Sequence, residues 1–157
     1  MRRSLKVRLG LAAVSLGVTS FAALPASAST GVILLIGSGT MTPGLTPTGM
    51  VQSLTFSGIG VAITDSYAGP FNCTWSANDT IGTLQQGSGS FAGWCLAADQ
   101  EAISGIYSRT GTEVTLSGLM RGNPISGTLT GACTFVPTPS SGLTVTAYQQ
   151  QCLFAVR

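Results

Sequence analysis

Residues 125–135 read ISGTLTGACTF, and every second position of this stretch, from Ile125 to Phe135, is apolar or glycine. The positions between them carry serine, threonine and alanine. Because successive side chains of a β-strand point to opposite faces, the stretch predicts a strand with one buried and one hydroxylated face. The glycines on the apolar face leave room for a large side chain opposite, or for strong curvature. An antiparallel sheet with one side in water is the expected setting.

The same period of two recurs along the chain between glycine, proline, asparagine and aspartate residues, and helical periodicity is missing. Further strands are expected over residues 32–36, 53–64, 71–75, 90–96, 103–108, 113–119, 143–148 and 152–156. A hairpin turn is expected at residues 109–112, and loops at 37–49 and 137–142, each of which contains two prolines. The pattern predicts an all-β fold, either an antiparallel β-barrel or a β-sandwich of about eight to ten strands.

One of these stretches changes phase. Leu54 and Phe56 lie on one parity, whereas Ile59, Val61 and Ile63 lie on the other, with glycines between the two groups. A one-residue shift at glycine is typical of a β-bulge, which would return all five apolar side chains to one face. A bulge is therefore expected here.

The first 28 residues have the organisation of a secretory signal peptide. Four basic residues lie within positions 2–8, an apolar run follows over 9–24, and the small-residue sequence PASA occupies 25–28. The apolar run of about 16 residues is shorter than the roughly 20 that span a bilayer, so no retained membrane anchor is expected. Cleavage after Ala28 would leave residues 29–157 as a single secreted domain, either extracellular or associated with the cell envelope.

Charge in the predicted mature part is sparse. It carries three arginines and five acidic residues, a net charge of −2, and has neither lysine nor histidine. Three scattered arginines cannot form a polyanion-binding face, so no nucleic-acid partner is expected. Without histidine, a Ser-His-Asp triad and ordinary His-ligated metal sites are excluded, and without lysine so are a P-loop and a Schiff base. No catalytic, cofactor-binding or metal-binding residue and no cofactor is expected.

All four cysteines, Cys73, Cys95, Cys133 and Cys152, lie in the predicted mature part. An even number in a small exported chain predicts a disulfide framework, for which three pairings exist. We favour Cys73–Cys95 and Cys133–Cys152, because each closes a loop of about 20 residues, consistent with neighbouring strands. The other two pairings stay open at this point. A zinc site is disfavoured by the absence of histidine and of a C-x-x-C motif.

Aromatic residues offer the main candidate for contact with a ligand or partner. If Phe91, Gly93 and Cys95 face inward, Trp94 between them faces out. An outward indole is a platform for a ligand or protein partner, although the more ordinary explanation is that a loop covers Trp94 or that it fills a second layer. Trp75 belongs to the alternation that begins at Phe71 and is expected in the core.

The carboxylates raise one further alternative. Asp99 and Glu101 are two residues apart, and together with Asp65 they are the candidates for a carboxylate-dependent hydrolase. Charged residues usually lie in solvated turns, and this is the expectation here.

Several short motifs carry a resemblance. They are GTMTPGL at 39–45, FSG at 56–58, GSGSFAGWC at 87–95 and GAC at 131–133, followed by Pro137. With these motifs the chain resembles the uncharacterised small secreted β proteins of actinobacteria, which implies an exported β domain and no known activity. In export, size and composition it is also loosely similar to the neocarzinostatin apoproteins, which hold an apolar small molecule in a sandwich cleft. The cysteine spacing differs from theirs, so no residue role is carried over.

These observations favour a secreted, non-enzymatic domain that binds an extracellular or envelope partner. The first alternative is a carrier of a small apolar ligand, which needs a barrel mouth or cleft of a few hundred Å³ lined by Phe, Leu and Trp. The second is the hydrolase, which needs two carboxyl groups together in a cleft.

Overall fold

The first strand of the chain pairs with the last, and this pairing closes the sheet into a barrel. A computed structural model describes residues 28–80, 82–138 and 144–157. The strands are β1 (Gly31–Leu45), β2 (Gln52–Thr64), β3 (Ala68–Asp79), β4 (Gln86–Leu96), β5 (Gln100–Thr110), β6 (Glu113–Arg121), β7 (Gly127–Thr138) and β8 (Val145–Val156). Each pairs antiparallel with its neighbour in sequence, and β8 pairs with β1. The predicted all-β fold is confirmed, as a barrel rather than a sandwich.

Several predicted boundaries are wrong. β1 continues to Leu45, through most of the predicted loop 37–49, because its glycines still pair with both neighbouring strands. β8 is one strand where two were predicted. The hairpin turn between β5 and β6 is confirmed, with Gly111 at a φ of 61° that favours glycine. The predicted loop 137–142 is wrong at its start, because Pro137 and Thr138 still pair with β8 as part of β7. The rest of that loop, Leu143 and the predicted signal peptide apart from Ala28 lie outside the described residues.

The predicted β-bulge is also wrong. The register of β2 with β1 and with β3 runs without a shift from its first residue to Ile63. Phe56 therefore points inward, whereas Ile59, Val61 and Ile63 point outward, where they are exposed. Gly58 and Gly60, which alternate with these residues along β2, occupy the inward positions. Here the apolar side chains change face, and the strand does not shift to keep them together.

Inward glycines make room for aromatic rings, as the sequence predicted. Gly131 of β7 is the register partner of Phe154 on β8, and a Cβ atom at Gly131 would overlap the Phe154 ring. Phe56 lies in the same way against Gly58 and against Gly37 of β1. Small and large residues thus alternate across neighbouring strands, which fills the narrow interior of an eight-stranded barrel.

The centre of the core is aromatic. Trp75 stacks on Phe56, with ring centroids 4.1 Å apart, and meets Phe154 edge-on at 6.4 Å. Phe91 completes the cluster at 6.1 Å from Trp75. Such pairs add about 0.5–1.5 kcal/mol each to the stabilisation that burial itself provides. The predicted inward direction of Trp75 is confirmed.

Two disulfides cross-link directly opposite inward positions. Cys73 of β3 bonds Cys95 of β4, and Cys133 of β7 bonds Cys152 of β8, with Cα atoms 4.0 Å apart in both pairs. The favoured pairing is confirmed. Closing loops of this length removes about 3 kcal/mol of conformational freedom each from the unfolded chain in the chain-entropy account. Among the described residues no helix is long and apolar enough to cross a membrane.

The Gly131–Phe154 pair provides a test of the packing. Gly131→Val should destabilise the barrel by about 1–3 kcal/mol or more, because the added methyl groups overlap a buried ring that has no space to move into. The matched control is Thr130→Val on the outer face of the same strand, which should stay within about 0.5 kcal/mol of the parent. Urea unfolding measures both, and equal effects of the two substitutions would contradict the assigned inward direction.

Candidate functional site

One end of the barrel, here called the Arg109 end, is closed by a buried guanidinium. Arg109 of β5 is 4 % exposed and lies over the Phe135 ring, 4.9 Å from its centroid. Its Nη1 and Nη2 atoms donate to backbone carbonyl oxygens of Leu84 at 3.2 Å, Gly111 at 3.1 Å, Gln86 at 2.9 Å, and also Thr83. One side chain thereby holds the β3–β4 loop across the opening.

Asp79 and Tyr107 accompany Arg109 inside this end. Asp79 Oδ1 accepts hydrogen bonds from the backbone N–H groups of Gly82 at 2.7 Å and Ser88 at 3.2 Å. Burial, and then the neighbouring Asp79 carboxylate, raise the pKa of Tyr107, while burial lowers the pKa of Arg109 and Asp79 opposes that shift. Asp79 and Arg109 carry opposite charges, and each forms hydrogen bonds with backbone groups of the β3–β4 loop or beside it. This arrangement stabilises the closed end of the barrel.

A buried amide at the same end holds the last residues of β1 and the β1–β2 loop. Gln52 of β2 donates from Nε2 to the Gly44 carbonyl oxygen at 2.8 Å and accepts at Oε1 from the Gly44 N–H at 2.7 Å. Its Nε2 also donates to the Met50 carbonyl oxygen of the loop at 3.3 Å. Analysis of the sequence missed Gln52, Asp79 and Arg109 as buried residues. Parity could have found them, because Asp79 lies at even steps from Trp75 and Arg109 lies two residues after Tyr107.

The interior beneath Arg109 contains a small cavity. Its volume is about 30 Å³, and Trp75, Phe91, Tyr107, Phe135 and Tyr148 contribute to its wall. This is room for about one water molecule, far below the few hundred Å³ that a small organic ligand occupies. The carrier alternative needs a much larger cavity than this one.

The opposite end, here called the Glu101 end, buries a carboxyl group. Glu101 is fully buried, and its Oε1 accepts a hydrogen bond from the N–H of Ile125 at 3.2 Å. Its Oε2 has no hydrogen-bond partner within the described part of the chain and lies against the backbone of Gly122. Burial raises the pKa of Glu101, and the nearby Asp99 carboxylate adds to the increase. Ile125, predicted in a strand, instead lies in the β6–β7 loop with its side chain buried.

The candidate hydrolase residues are not assembled in an open cleft. Asp65 and Asp99 lie in exposed turns at the Glu101 end, as expected for charged residues, whereas that expectation is wrong for the buried Asp79 and Glu101. Asp79 is at the other end of the barrel: its partner on β4 is Gly89 and that of Glu101 is Cys95, six residues further, which is roughly 20 Å along the strand. Glu101 is covered by the β6–β7 loop, which leaves no room for a substrate beside it.

Trp94 lies on the outer wall of the barrel, as predicted. It is 56 % exposed, in contrast to the core Trp75 at 6 %. Its cross-strand neighbours are small, Thr74 on β3 and Ala102 on β5, so nothing flanking the indole covers it. Leu96, two residues further along β4 on the same face, is also exposed. The outer wall therefore presents an indole and an isobutyl group among hydroxyl and amide side chains.

Among the described residues, no group of three or more His, Cys, Asp or Glu side chains is placed to hold a metal ion. Comparisons with protein-family models, curated proteins and solved structures found no match to this chain.

The Glu101 carboxyl predicts a pH-dependent stability. Because its pKa is raised above the ordinary 4.5, the folded protein retains this proton to higher pH than the unfolded chain does. The contribution of Glu101 to the free energy of unfolding is fully present below the pKa that Glu101 has in the unfolded chain. It is lost as the pH rises through the pKa of Glu101 in the folded protein. The free energy of unfolding should fall over that interval in the parent protein, and Glu101→Gln should abolish the fall.

Asp99→Asn is the control for this measurement, because it changes an exposed carboxylate two residues away. It should leave most of the pH dependence in place. Denaturant titrations at half-unit steps between pH 4 and pH 8 would measure the three profiles. A Glu101→Gln profile that runs parallel to the parent would contradict the assignment.

Proposed function

We propose that this chain is an exported, non-enzymatic binding protein that contacts an extracellular or cell-envelope partner through its outer wall, at the surface around Trp94. The observation that carries the proposal is the exposure of an indole on the wall of a barrel whose interior is filled. An exposed tryptophan among small polar neighbours offers a partner a large, rigid contact area at low cost in conformational freedom.

The filled interior directs the proposal outward. Lipocalin-like carriers of eight strands hold their ligand in the barrel, and this requires an open mouth and an empty lumen. Here the lumen contains the aromatic cluster and both disulfides, and buried polar side chains hold loops over the ends. The carboxylates lack the paired, accessible arrangement of a glycosidase. Binding at the outer surface requires neither an empty lumen nor a pair of accessible carboxylates.

The Trp94 surface has the chemistry of a small recognition site. Asn72 lies opposite Leu96, and Thr74 opposite Trp94, so hydrogen-bonding side chains border the apolar pair on the β3 side. Arg121 of β6 lies opposite Ala102, two strands from Trp94, and adds a positive charge at the margin. An apolar centre with a polar rim is the usual composition of a contact surface.

Export is supported by the sequence of residues 1–28 and by the two disulfides, which persist in oxidising compartments. The barrel begins where the predicted cleavage leaves it. Ala28 is exposed, while the next residue, Ser29, is buried, donates its N–H to the Ser126 carbonyl oxygen and contacts Ser66 Oγ through its own hydroxyl. Removal of residues 1–28 takes away no part of this attachment.

Expression of the full chain in a host that exports it should therefore yield a protein whose N-terminal residue is Ser29. N-terminal sequencing and intact mass would measure this, and the mass should also be lower than that of the reduced chain by the four hydrogen atoms lost in forming the two disulfides. A protein that retains residues 1–28, or that stays inside the cell, would contradict the proposed export.

The binding surface is tested by Trp94→Thr, which keeps a strand-forming residue and removes the indole. The affinity of the variant for isolated cell envelopes of the source organism, measured by co-sedimentation, should be at least about tenfold lower than that of the parent. This is the loss expected for a central aromatic contact. Fluorescence provides a second reading, because the exposed indole should shift its emission to the blue when envelopes are added.

Ile106→Thr is the matched control, since Ile106 is an exposed apolar residue on the neighbouring strand, between Ser90 and Ser117. It should bind envelopes like the parent. Parent protein that remains in the supernatant, or a Trp94→Thr variant that binds normally, would contradict the proposal.

A further inference from the structure

A second region of the outer wall is apolar over a continuous area, here called the apolar wall. It comprises Val32, Leu34 and Ile36 of β1, Ile59, Val61 and Ile63 of β2, and Leu153 of β8. Each of these side chains keeps between 45 and 69 % of its surface exposed. In register they form three rows, with Leu34 in the middle between Val61 and Leu153.

The apolar wall ends abruptly along the same strands. Towards the Arg109 end, the next outward pairs of β1 and β2 are Ser38 with Ser57 and Thr40 with Thr55. The hydroxyl oxygens of Thr40 and Thr55 are 2.8 Å apart. Strand propensity favours β-branched residues, and both halves of β1 and β2 contain them. It therefore does not explain why the outward side chains are hydrocarbon only in the half nearer the Glu101 end. Strands that are apolar on both faces are those buried on both faces. The apolar half of β1 and β2 has this composition, and its inner face is already in the core.

Apart from the Trp94–Leu96 pair, other exposed apolar residues of the described strands, such as Ile106 and Leu119, are isolated. Ile106 lies between two serines, and Leu119 lies between Ser104 and Thr128. Single residues of this kind are ordinary on protein surfaces. The apolar wall differs because its seven members adjoin one another.

Its size matches that of a protein interface. At their exposed fractions the seven side chains present an area of the order of 700 Å², above the roughly 300–600 Å² of the largest apolar patch on a typical monomer and near the ~800 Å² that each partner buries in a standard interface.

Two opposite charges border the apolar wall at the Glu101 end. Gly31, the first residue of β1, lies opposite Thr64 on one side and Val156 on the other. Asp65 and Arg157 follow those two residues directly and are exposed, so they stand on either side of β1 at the same height. A two-fold axis along β1 exchanges the two sides and would bring each Arg157 to Asp65 of the other copy.

We propose that the apolar wall is the interface of a homodimer, in which two copies pack their β8–β1–β2 sectors face to face about a two-fold axis near Leu34. A self-complementary patch with an acidic and a basic residue exchanged by the axis is the requirement of an isologous dimer. Trp94 lies on β4, three strands from β1, and stays exposed in the pair.

A lipid surface fits this patch less well. Its three rows extend about 13 Å along the strands, and the residues around them include neither lysine nor an exposed aromatic ring. Proteins that lie on membranes border their apolar face with lysine, arginine, tryptophan or tyrosine. Among the described residues Arg157 is the one basic residue at the border, and it is balanced by Asp65.

The test is the mass of the exported protein in solution. Sedimentation equilibrium of the parent between about 1 and 200 μM should give twice the monomer mass in the upper part of this range. Leu34→Lys should weaken dimerisation at least about 100-fold, because two ammonium groups would meet at the axis. The matched control, Ile106→Lys, places the same charge on another strand and should remain dimeric.

The charged border is tested separately. Arg157→Glu should weaken the dimer about tenfold by placing two like-charged pairs in contact, and adding Asp65→Arg should restore most of that loss. Near-UV circular dichroism of the core Trp75 reports whether each variant folds. If Leu34→Lys does not fold, Leu34→Thr replaces it and should still shift the dissociation constant at least about tenfold.

A parent that is monomeric at all concentrations overturns the proposal. So does a Leu34→Lys variant that dimerises like Ile106→Lys. Co-sedimentation of a monomeric parent with vesicles of phosphatidylcholine and phosphatidylglycerol, lost in Leu34→Lys, would instead assign the apolar wall to a lipid surface. Since none of these measurements uses Trp94, they leave the proposed envelope binding untouched.

Discussion

The pairing of β1 with β8 is the constraint on which the rest of the structure depends. It removes both sheet edges and fixes the circumference at eight strands, whose interior is just wide enough for side chains to fill. Within that width two large residues cannot face each other at every level. Glycines at Gly37, Gly58 and Gly131 therefore lie beneath the rings of Phe56 and Phe154. The result is a closed wall around a packed centre.

Much of this architecture follows from alternation in the sequence. The inward positions of β7 and the inward Trp75 were predicted because apolar residues at steps of two must share a face. The cysteine pairing followed from loop length, since neighbouring antiparallel strands bring together residues about 20 positions apart. The number and extent of strands were less accessible, because glycines and prolines in residues 37–45 are compatible with a loop until both partner strands are known.

Two kinds of error have physical causes. The bulge was predicted on the assumption that all large apolar residues of β2 must be buried by this one chain. Ile59, Val61 and Ile63 point outward because the register of β2 does not shift and Gly58 and Gly60 take the inward positions between them. The burial of Arg109, Asp79 and Glu101 was missed because charge usually outweighs parity as a guide to exposure. Here backbone groups of the closing loops satisfy these side chains, which a single sequence does not show. Trp94 could be predicted from parity because its neighbours in sequence were clearly inward.

The two proposals for the outer wall are compatible and reinforce each other. The apolar wall covers one sector, and the Trp94 surface lies in another. A dimer about the β1 axis would present two Trp94 surfaces, and on a repetitive partner such as a cell envelope the second contact forms at high effective concentration. Weak individual sites would then be sufficient for stable attachment. This explains why a small patch of one indole and one leucine could act in a protein with so little charge.

The closure of the barrel is tested most directly by cross-strand nuclear Overhauser effects between the first and last strands. Uniformly labelled protein should show backbone proton contacts between Val32 and Ala155, Leu34 and Leu153, and Ile36 and Gln151, the opposed residues of β1 and β8. Their amides should also be protected from hydrogen exchange. Absence of these contacts, with β1 and β8 amides that exchange as the edges of an open sandwich, would contradict the account.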